Sequence, residues 1–293
     1  MSPDVLLQIS LSGLTTGAIY SIIALGFVLI FKVSRVINLA QGEFVALGGL
    51  FMVTFGTNLA LPLPIAFIAS VAAVTMVGIA MQRFAISPAQ RTRGASMARI
   101  LIITIGLSTF IKGAASLAWS KDLFYLPPFS GNKPIFLFGA TVLPQHIWIL
   151  GFTVLIALAL ALLLGRTNIG KSMLATAENP EAASLMGINV NMIVVISFAM
   201  GAALGAVAGL LITPITFTGY DRGTIIGLKG FVAAAMGGMG STTVAIVGGV
   251  ALGLAEAFST LAGLSELKDA TSFMVLVVIL FLMSGGVLGK TRT

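Results

Sequence analysis

The sequence predicts an all-α polytopic membrane protein, and three observations lead to that fold class. Hydrophobic residues make up 58% of the 293-residue chain, more than a water-soluble domain of this length can bury. The apolar residues form long continuous blocks, whereas the strands of a membrane barrel would alternate apolar and polar positions. The 34 glycines fit helices that pack closely inside a membrane. We therefore expect 8–9 transmembrane segments, some of them short or discontinuous.

The apolar blocks are bounded by charged residues, prolines and glycines. The first block carries no charge, and Pro62 and Pro64 mark the start of the third. The seventh block is short and glycine-rich, and Lys229 lies inside it. In chain order the predicted blocks are residues 5–31, 36–55, 61–81, 100–119, 147–164, 192–217, 223–238, 243–261 and 271–288.

The basic residues orient the chain, because short cytoplasmic loops of membrane proteins are rich in lysine and arginine. Ten of the 16 basic residues can be placed inside, namely Lys32, Arg35, Arg83, Arg91, Arg93, Arg99, Arg166, Lys171, Lys290 and Arg292. The other six lie outside or within spans, namely Lys112, Lys121, Lys133, Arg222, Lys229 and Lys268. This orientation puts the N-terminus outside and the C-terminus inside. Nine crossings satisfy it if residues 223–238 cross as a short element, and eight result if that stretch is re-entrant.

A weak internal similarity predicts an inverted repeat. Gly17-Ala-Ile resembles Gly205-Ala-Val, and the stretch that begins at Phe44 resembles the one that begins at Phe231. The two pairs lie 188 and 187 residues apart, and the orientation above makes the first and sixth spans run in opposite directions. Such repeats are common in transporters. Sequence rich in glycine and alanine also produces matches of this kind by chance.

Composition and motifs argue against an enzyme. The chain has no cysteine and one histidine, which leaves no disulfide, no thiolate chemistry and no multi-histidine metal site. His146 stands near Trp148 at the start of a span, which is typical of an interfacial residue. GxSxG and HExxH motifs are missing from the sequence, and the Walker A pattern occurs only as GRTNIGKS at residues 165–172, directly after a long apolar block instead of the strand that a phosphate-binding loop follows. We therefore expect no catalytic residues, no cofactor and no ATP site of the chain's own.

A polar stretch, residues 165–189, interrupts the apolar blocks. Asn179 is a good helix N-cap, Pro180 fits the first helical position and Gly187 fits the position after a helix end. The pattern predicts a helix over 171–178, a break, and a short helix over 180–186. The stretch should lie in the cytoplasm, where a soluble partner can bind it. An ordinary cytoplasmic loop is the alternative.

Two loop features complete the predicted organisation. Residues 120–145 form a longer extracytoplasmic loop rich in proline, glycine and aromatics, with a hairpin predicted over 134–143. The stretch from Gly237 to Ser241 joins two apolar segments with almost no polar linker. It predicts a tight turn between half-helices near a translocation path.

Two acidic residues, Glu43 and Glu256, lie in apolar blocks. An ionised carboxylate at membrane depth costs about 2.5 kcal/mol or more, so each should face the protein interior or a wet path. With their polar neighbours they define the candidate substrate path, namely Asn38, Gln41, Glu43, Glu256 and Ser259. The alternative for Glu43 is a polar helix start near the headgroups, and for Glu256 a buried hydrogen bond between helices.

Several motifs in one order carry a family resemblance. They read TTGAIYSIIALGFVLIF, INLAQGEF, TNIGKSMLATAENPEAASLMGINVN, GLKGFVAAAMGGMGS and ALGLAEAF. With these motifs the chain resembles the integral membrane permease subunits of branched-chain (hydrophobic) amino acid ABC transporters. The third motif is the most specific. The sequence departs from the family pattern at Thr242-Thr243-Val244 and at Phe281-Leu-Met-Ser-Gly-Gly, which leaves the substrate and the partner open.

The resemblance implies a single transmembrane permease domain over residues 1–293 of a multi-pass protein in the cell (inner) membrane. It implies the pore-forming subunit of an ATP-driven importer of branched-chain or other small amino acids, or of related solutes such as urea. The implied partners are cytoplasmic ATPase subunits, which bind the ATP, a homologous second permease, an extracytoplasmic binding protein and membrane lipid, without nucleic acid. The alternative is a self-contained ion-coupled secondary transporter or channel, in which Glu43 and Glu256 bind protons or Na⁺.

The polar stretch would then be the coupling-helix region that docks on the ATPase. We expect the main contact between Glu178 and Ala183, with affinity from Leu174, Leu185 and Met186. The predicted coupling residues are Lys171, Glu178, Asn179, Pro180, Glu181, Ala182, Ala183 and Gly187.

Overall fold

A computed structural model describes residues 3–91, 96–137, 140–261, 270, 272–274 and 277–278. Within these residues the chain forms eleven α-helices, two π-helical stretches and one small hairpin. The helices are α1 (Pro3–Ser34), α2 (Gln41–Met52), α3 (Leu63–Met81), α4 (Ser87–Arg91), α5 (Met97–Trp119), α6 (Pro144–Arg166), α7 (Asn168–Glu178), α8 (Pro180–Leu185), α9 (Val190–Thr216), α10 (Arg222–Met236) and α11 (Thr242–Leu261). The hairpin strands are β1 (Ile135–Leu137) and β2 (Ala140–Val142), and the π-helical stretches are Val53–Asn58 and Gln82–Ile86.

Six helices of the described part are long and apolar enough to cross a membrane. They are α1, the continuous α3–α4 helix, α5, α6, α9 and α11. Two shorter elements join them, since α2 has 12 residues before its π-helical continuation and α10 has 15. The expectation of short elements among the spans is confirmed. The predicted last span, residues 271–288, lies largely outside the described residues.

Local sequence signals set most helix starts. Side chains of Ser96, Thr167, Asn179 and Asn189 cap the N-termini of α5, α7, α8 and α9 by accepting backbone N–H groups. Proline stands in the first turn of α3, α6 and α8, where its missing N–H costs no hydrogen bond.

The core of the molecule forms around α1. In the most apolar 18-residue segment of each helix, 83% of α1 is buried, against 17% of α6 and 22% of α5. α1 is therefore enclosed by protein, while α5 and α6 present their apolar sides outward. α9 is the second central helix, with 67% buried. The outward faces fit a lipid environment, where apolar side chains need no cover.

Contacts to α1 fix the directions of its neighbours. Gly17 meets the backbone of Val250, and Ser21 donates to the carbonyl oxygen of Ile246 at 2.8 Å, so α11 runs antiparallel to α1. Lys229 lies over the ring of Tyr20, and the ring of Phe231 lies 5.6 Å from that of Phe27. The second contact is further along both α1 and α10 than the first. α10 therefore runs parallel to α1.

The contacts between helices are related in the way that an inverted repeat would produce. α1 contacts α9, α10 and α11, and α9 contacts α1, α2 and α3. Exchanging α1 with α9, α2 with α10 and α3 with α11 converts one set of contacts into the other. The sequence similarity links the same elements, because Gly17 and Gly205 lie on α1 and α9. The helix packing therefore fits the repeat that the sequence predicts.

The chain between α1 and α2 is not helical. Arg35 has a φ of 56°, which ends α1, and the Asn38 side chain then accepts the N–H of Ala40 at 3.1 Å in a local turn. α2 starts only at Gln41, so the helix predicted from residue 36 begins five residues later. Asparagine and the left-handed residue explain this late start, since both favour turns over helix.

The predicted hairpin and the predicted tight turn are both present. β1 and β2 pair antiparallel within the predicted hairpin region. The turn after α10 spans residues 237–240, with φ values of 58° at Gly238 and 55° at Met239, and α11 follows at once. The glycine supplies the left-handed backbone that this abrupt reversal needs.

Candidate functional site

Glu43 lies in the first turn of α2 and is 1% exposed. Its Oε1 accepts hydrogen bonds from the hydroxyls of Ser108 on α5, at 2.8 Å, and Thr224 on α10, at 2.9 Å. Lys112 Nζ stands 3.9 Å from the same oxygen, at the outer limit of an ion pair. Glu43 Oε2 is buried and has no hydrogen-bond partner among the described residues. The carboxylate can therefore accept a further donor.

Asn38 and Gln41 are both buried, but their hydrogen-bond partners differ from those of Glu43. Gln41 Nε2 donates to the carbonyl oxygen of Gly201 on α9 at 2.8 Å, so it ties α2 to α9. Asn38 Nδ2 and Gln41 Oε1 have no partner in the described part of the chain. The structure therefore does not gather the three predicted polar residues around one point, although each is enclosed by protein.

Glu256 forms a second buried cluster where α1, α10 and α11 meet. Lys229 Nζ lies 2.8 Å from Glu256 Oε1, and the two side chains are 6% and 1% exposed. The Tyr20 hydroxyl donates to Oε2 at 2.8 Å, and the Ser272 hydroxyl donates to Oε1. Both oxygens of this carboxylate are thus engaged. Ser259 Oγ donates instead to the Glu256 backbone carbonyl at 2.8 Å, one turn back on its own helix.

Sequence reasoning missed the partners of both acids. Lys112 and Lys229 were noted only as basic residues outside or within spans, yet each lies beside one of the two buried glutamates. A usable signal was present, because charged residues inside spans pair with one another. Which lysine pairs with which glutamate depends on how the helices pack, and sequence patterns alone do not predict that packing.

Cavities adjoin both clusters. One of about 250 Å³ is lined by Tyr20, Lys229 and Arg222 together with threonines and isoleucines of α1, α9 and α10. Another of about 170 Å³ touches Glu256 from the α11 side, and Thr16 lines both. A third, of about 200 Å³, is lined by Ser108, Lys112 and Thr224, the three residues that contact the Glu43 carboxylate. Within the described residues, no group of side chains suits a metal ion.

The polar stretch forms two short helices with a break at Asn179, close to the predicted bounds. α7 begins three residues earlier than predicted, at Asn168, because Thr167 supplies a cap by accepting the Gly170 N–H at 3.0 Å. Asn179 accepts the N–H groups of Glu181 and Ala182 at 3.0 Å and so starts α8. Gly187 follows α8 with a φ of 84°.

The exposed side of the two helices carries most of the predicted coupling residues. Apolar side chains stand out at the end of the pair, since Leu185 is 89% and Met186 83% exposed, while Leu174 on α7 is 38% exposed. The exposed predicted coupling residues are Lys171, Glu178, Asn179, Pro180, Glu181, Ala182 and Gly187. Large exposed apolar side chains on an otherwise polar segment favour a protein interface.

Among the predicted coupling residues, Ala183 alone is buried. Its side chain is only 4% exposed, because it lies on the inner face of α8, and its carbonyl accepts the Ile188 N–H as the chain turns back. It therefore packs inside the two-helix segment.

Comparisons with known proteins show the family of the chain. A family model described as branched-chain amino acid transport system / permease component matches residues 9–282. The chain is 32% identical to the high-affinity branched-chain amino acid transport system permease protein LivH of Escherichia coli, over 97% of this chain and 96% of that protein. It is also 32% identical to the corresponding permease protein BraD of Pseudomonas aeruginosa, with the same coverage.

A more distant relative and one solved structure extend the comparison. The probable branched-chain amino acid transport permease protein LivH of Methanocaldococcus jannaschii is 29% identical over 82% of this chain and 76% of that protein. The structure of PsaBC from Streptococcus pneumoniae in complex with Fab covers 92% of this chain and 89% of its own, at 14% identity and a TM-score of 0.49, too distant to inform function. Together, the family match and the membrane-spanning helices identify the chain as a multi-pass membrane protein that belongs to the branched-chain amino acid transport system permease family.

Proposed function

We propose that the chain is the pore-forming permease subunit of an ATP-driven importer of branched-chain or other small amino acids. The observation that carries the proposal is the family match, which extends over residues 9–282 and so includes most of α1 and all of α2 to α11. The relatives named above are permease proteins of branched-chain amino acid transport systems. The match does not favour the alternative of a self-contained secondary transporter.

Energy has to come from another subunit. The Walker A pattern GRTNIGKS at residues 165–172 runs from the end of α6 into α7 with no strand before it, and Gly170 packs against the backbone of Leu163 and Leu164, so the stretch lacks the form of a phosphate-binding loop. ATP hydrolysis would therefore belong to a cytoplasmic ATPase that docks on α7 and α8. The exposed Leu185 and Met186 support that assignment, since docking surfaces combine apolar anchors with a polar rim. A second, homologous permease would complete the pore, and an extracytoplasmic binding protein would deliver the substrate.

Reconstitution tests the proposal. The chain is placed in liposomes alone, under imposed proton and Na⁺ gradients, and in parallel with its ATPase, second permease and binding protein under an ATP supply. We expect concentrative leucine uptake from the full complex and none from the isolated chain. Concentrative uptake by the isolated chain would instead support the secondary-transporter alternative, and an assembled complex that hydrolyses ATP without moving any amino acid would contradict the proposed substrate.

A further inference from the structure

The cavity beside Glu43 has the composition of a site for a zwitterion with an aliphatic tail. Its volume of about 200 Å³ corresponds to roughly seven water molecules, the scale of a small amino acid. Its polar lining is Ser108, Thr109, Lys112 and Thr224, and its apolar lining includes Phe27, Leu39, Ile105, Leu228 and Phe231. The site therefore combines one cation, several hydroxyls and a large apolar wall.

The charges at this site are incompletely satisfied. Glu43 Oε1 has two hydroxyl donors, whereas Oε2 is buried without a hydrogen-bond partner in the described part of the chain. Lys112 stays 3.9 Å from Oε1, and its side chain is 30% exposed. A separation of 2.7–2.9 Å would mark a tight charge-assisted hydrogen bond. Both members of this loose pair can therefore take an additional partner.

The cluster around Glu256 provides the contrast. There the carboxylate accepts from the Tyr20 hydroxyl, the Ser272 hydroxyl and the Lys229 ammonium, with the ion pair closed at 2.8 Å. A carboxylate with both oxygens engaged offers little to a ligand. Of the two buried acids, Glu43 is the one with remaining capacity.

The location of Lys112 indicates that this cavity does not open to lipid. Lys112 lies within α5, seven residues before its end, and Thr109 one turn earlier is exposed on the isolated chain. A charged side chain at membrane depth is costly in contact with hydrocarbon. The exposed part of Lys112 is therefore expected to face water or another protein chain, as it would along a path between two permeases.

We propose that this cavity binds the α-amino acid substrate itself, a deeper assignment that rests on the proposed importer function. Lys112 pairs with the substrate carboxylate, the Glu43 carboxylate attracts the substrate ammonium, and the hydroxyls of Ser108 and Thr224 hold Glu43 in place. The aliphatic side chain packs against Phe27 and Phe231, whose rings already meet edge to face. Both charges of the zwitterion are needed, so the site discriminates against uncharged solutes such as urea.

Chemical protection gives the first test. The chain has no cysteine, so Thr109→Cys places a single thiol at the cavity wall, and labelling of this chain's band reports access to it. In the full complex without binding protein, we expect leucine to slow labelling by a thiol reagent. The matched probes are 4-methylpentanoate, which lacks the ammonium, isoamylamine, which lacks the carboxylate, and urea. Slowing by leucine alone supports the site, and equal labelling rates with and without leucine contradict it.

The second test measures the affinity of the complex for leucine. It does not depend on the reactivity of the introduced thiol. Binding of radiolabelled leucine is measured on the same complex carrying Lys112→Met or Glu43→Gln, with Lys121→Met in the exposed extracytoplasmic loop as the control. Loss of a charge-assisted hydrogen bond should weaken binding by about tenfold or more. Lys112→Met should fold normally, because its ion pair is loose and partly exposed.

The two failures are distinguishable. If the unmodified complex transports no amino acid in liposomes, the importer function is wrong. If it transports leucine while Lys112→Met and Glu43→Gln bind leucine like the unmodified complex, the importer function stands and the cavity assignment is wrong.

Discussion

Arg35 donates a hydrogen bond from Nη2 to the backbone carbonyl oxygen of Ala177, 2.8 Å away, and thereby joins the end of α1 to the surface helix α7. Ala177 lies in the last turn of α7, where carbonyl groups lack helical partners and a cation is favourable. Arg35 also begins the non-helical link to α2, which carries Glu43. One side chain thus connects the proposed docking region to the segment that holds the candidate site.

This link should contribute to coupling. Arg35→Ala removes the contact, so we expect uptake per ATP hydrolysed to fall by roughly threefold, the effect of about 0.7 kcal/mol for a partly exposed charged contact. Uptake and hydrolysis are measured together in liposomes containing the full complex. Lys32→Ala, which removes a different positive charge in the last turn of α1, is the control. An unchanged ratio with Arg35→Ala would remove this residue from the coupling route.

The docking surface should depend on Leu185. Leu185→Asp places a charge on the most exposed apolar residue of the segment, and we expect the ATPase to be lost on purification. Glu178→Gln should instead leave the complex intact and reduce only the rate and salt dependence of association, because rim charges mainly steer encounter. Subunit ratios after affinity purification at two salt concentrations separate these effects. Full retention of the ATPase by Leu185→Asp would place the interface elsewhere.

The alanines of α8 provide an internal comparison. Ala182→Arg projects from the exposed face and should weaken ATPase binding without unfolding the segment. Ala183→Arg forces a long charged side chain into a buried position, so the segment itself should be destabilised. Limited proteolysis of the isolated chain in detergent distinguishes the two, with faster cleavage expected only for Ala183→Arg. Equal protease sensitivity of both variants would contradict the inward position of Ala183.

The Glu256 cluster should act mainly on stability. Sequence reasoning placed Glu256 on the substrate path, which predicts that Glu256→Gln impairs transport in a folded complex. The ion pair with Lys229 adds a second expectation, because removing one member of a buried pair costs about 3–5 kcal/mol in soluble proteins. The thermal midpoint in detergent should fall markedly, and a second change, Lys229→Met, should restore part of it. If Glu256→Gln abolishes transport but leaves the thermal midpoint unchanged, Glu256 belongs to the substrate path.

The contact between α1 and α11 should tolerate no side chain at Gly17. A Cβ there would stand 2.7 Å from the Cα of Val250 and 2.8 Å from the carbonyl oxygen of Gly249, so Gly17→Ala forces the helices apart. We expect a loss of about 1–3 kcal/mol, as for other overpacked contacts. Gly113→Ala on α5 is the matched control, since nothing lies within 4 Å of its Cβ position, and it should leave the thermal midpoint unchanged or raise it.

The sequence by itself determined the class, the order of the membrane elements and the polar two-helix segment. These features follow from local physics: long apolar runs have to be helical in lipid, and Asn179, Pro180 and Gly187 stop and restart a helix through their own backbone preferences. The hairpin in the loop and the turn at Gly238 were predicted for the same reason. The late start of α2 was missed because the apolar run alone does not reveal the local turn at Asn38.

Only the tertiary structure decided which buried charges meet. Glu43 is 65 residues from Ser108 and 181 from Thr224, and Glu256 is 236 from Tyr20, so these contacts depend on the packing of α1 against α10 and α11 and of α2 against α5 and α10. The inward position of Ala183 also depends on how α8 packs against the rest of the chain. Helix identity follows from neighbouring residues, whereas the partner of a buried side chain is set by the relative position of whole helices, which local sequence does not encode.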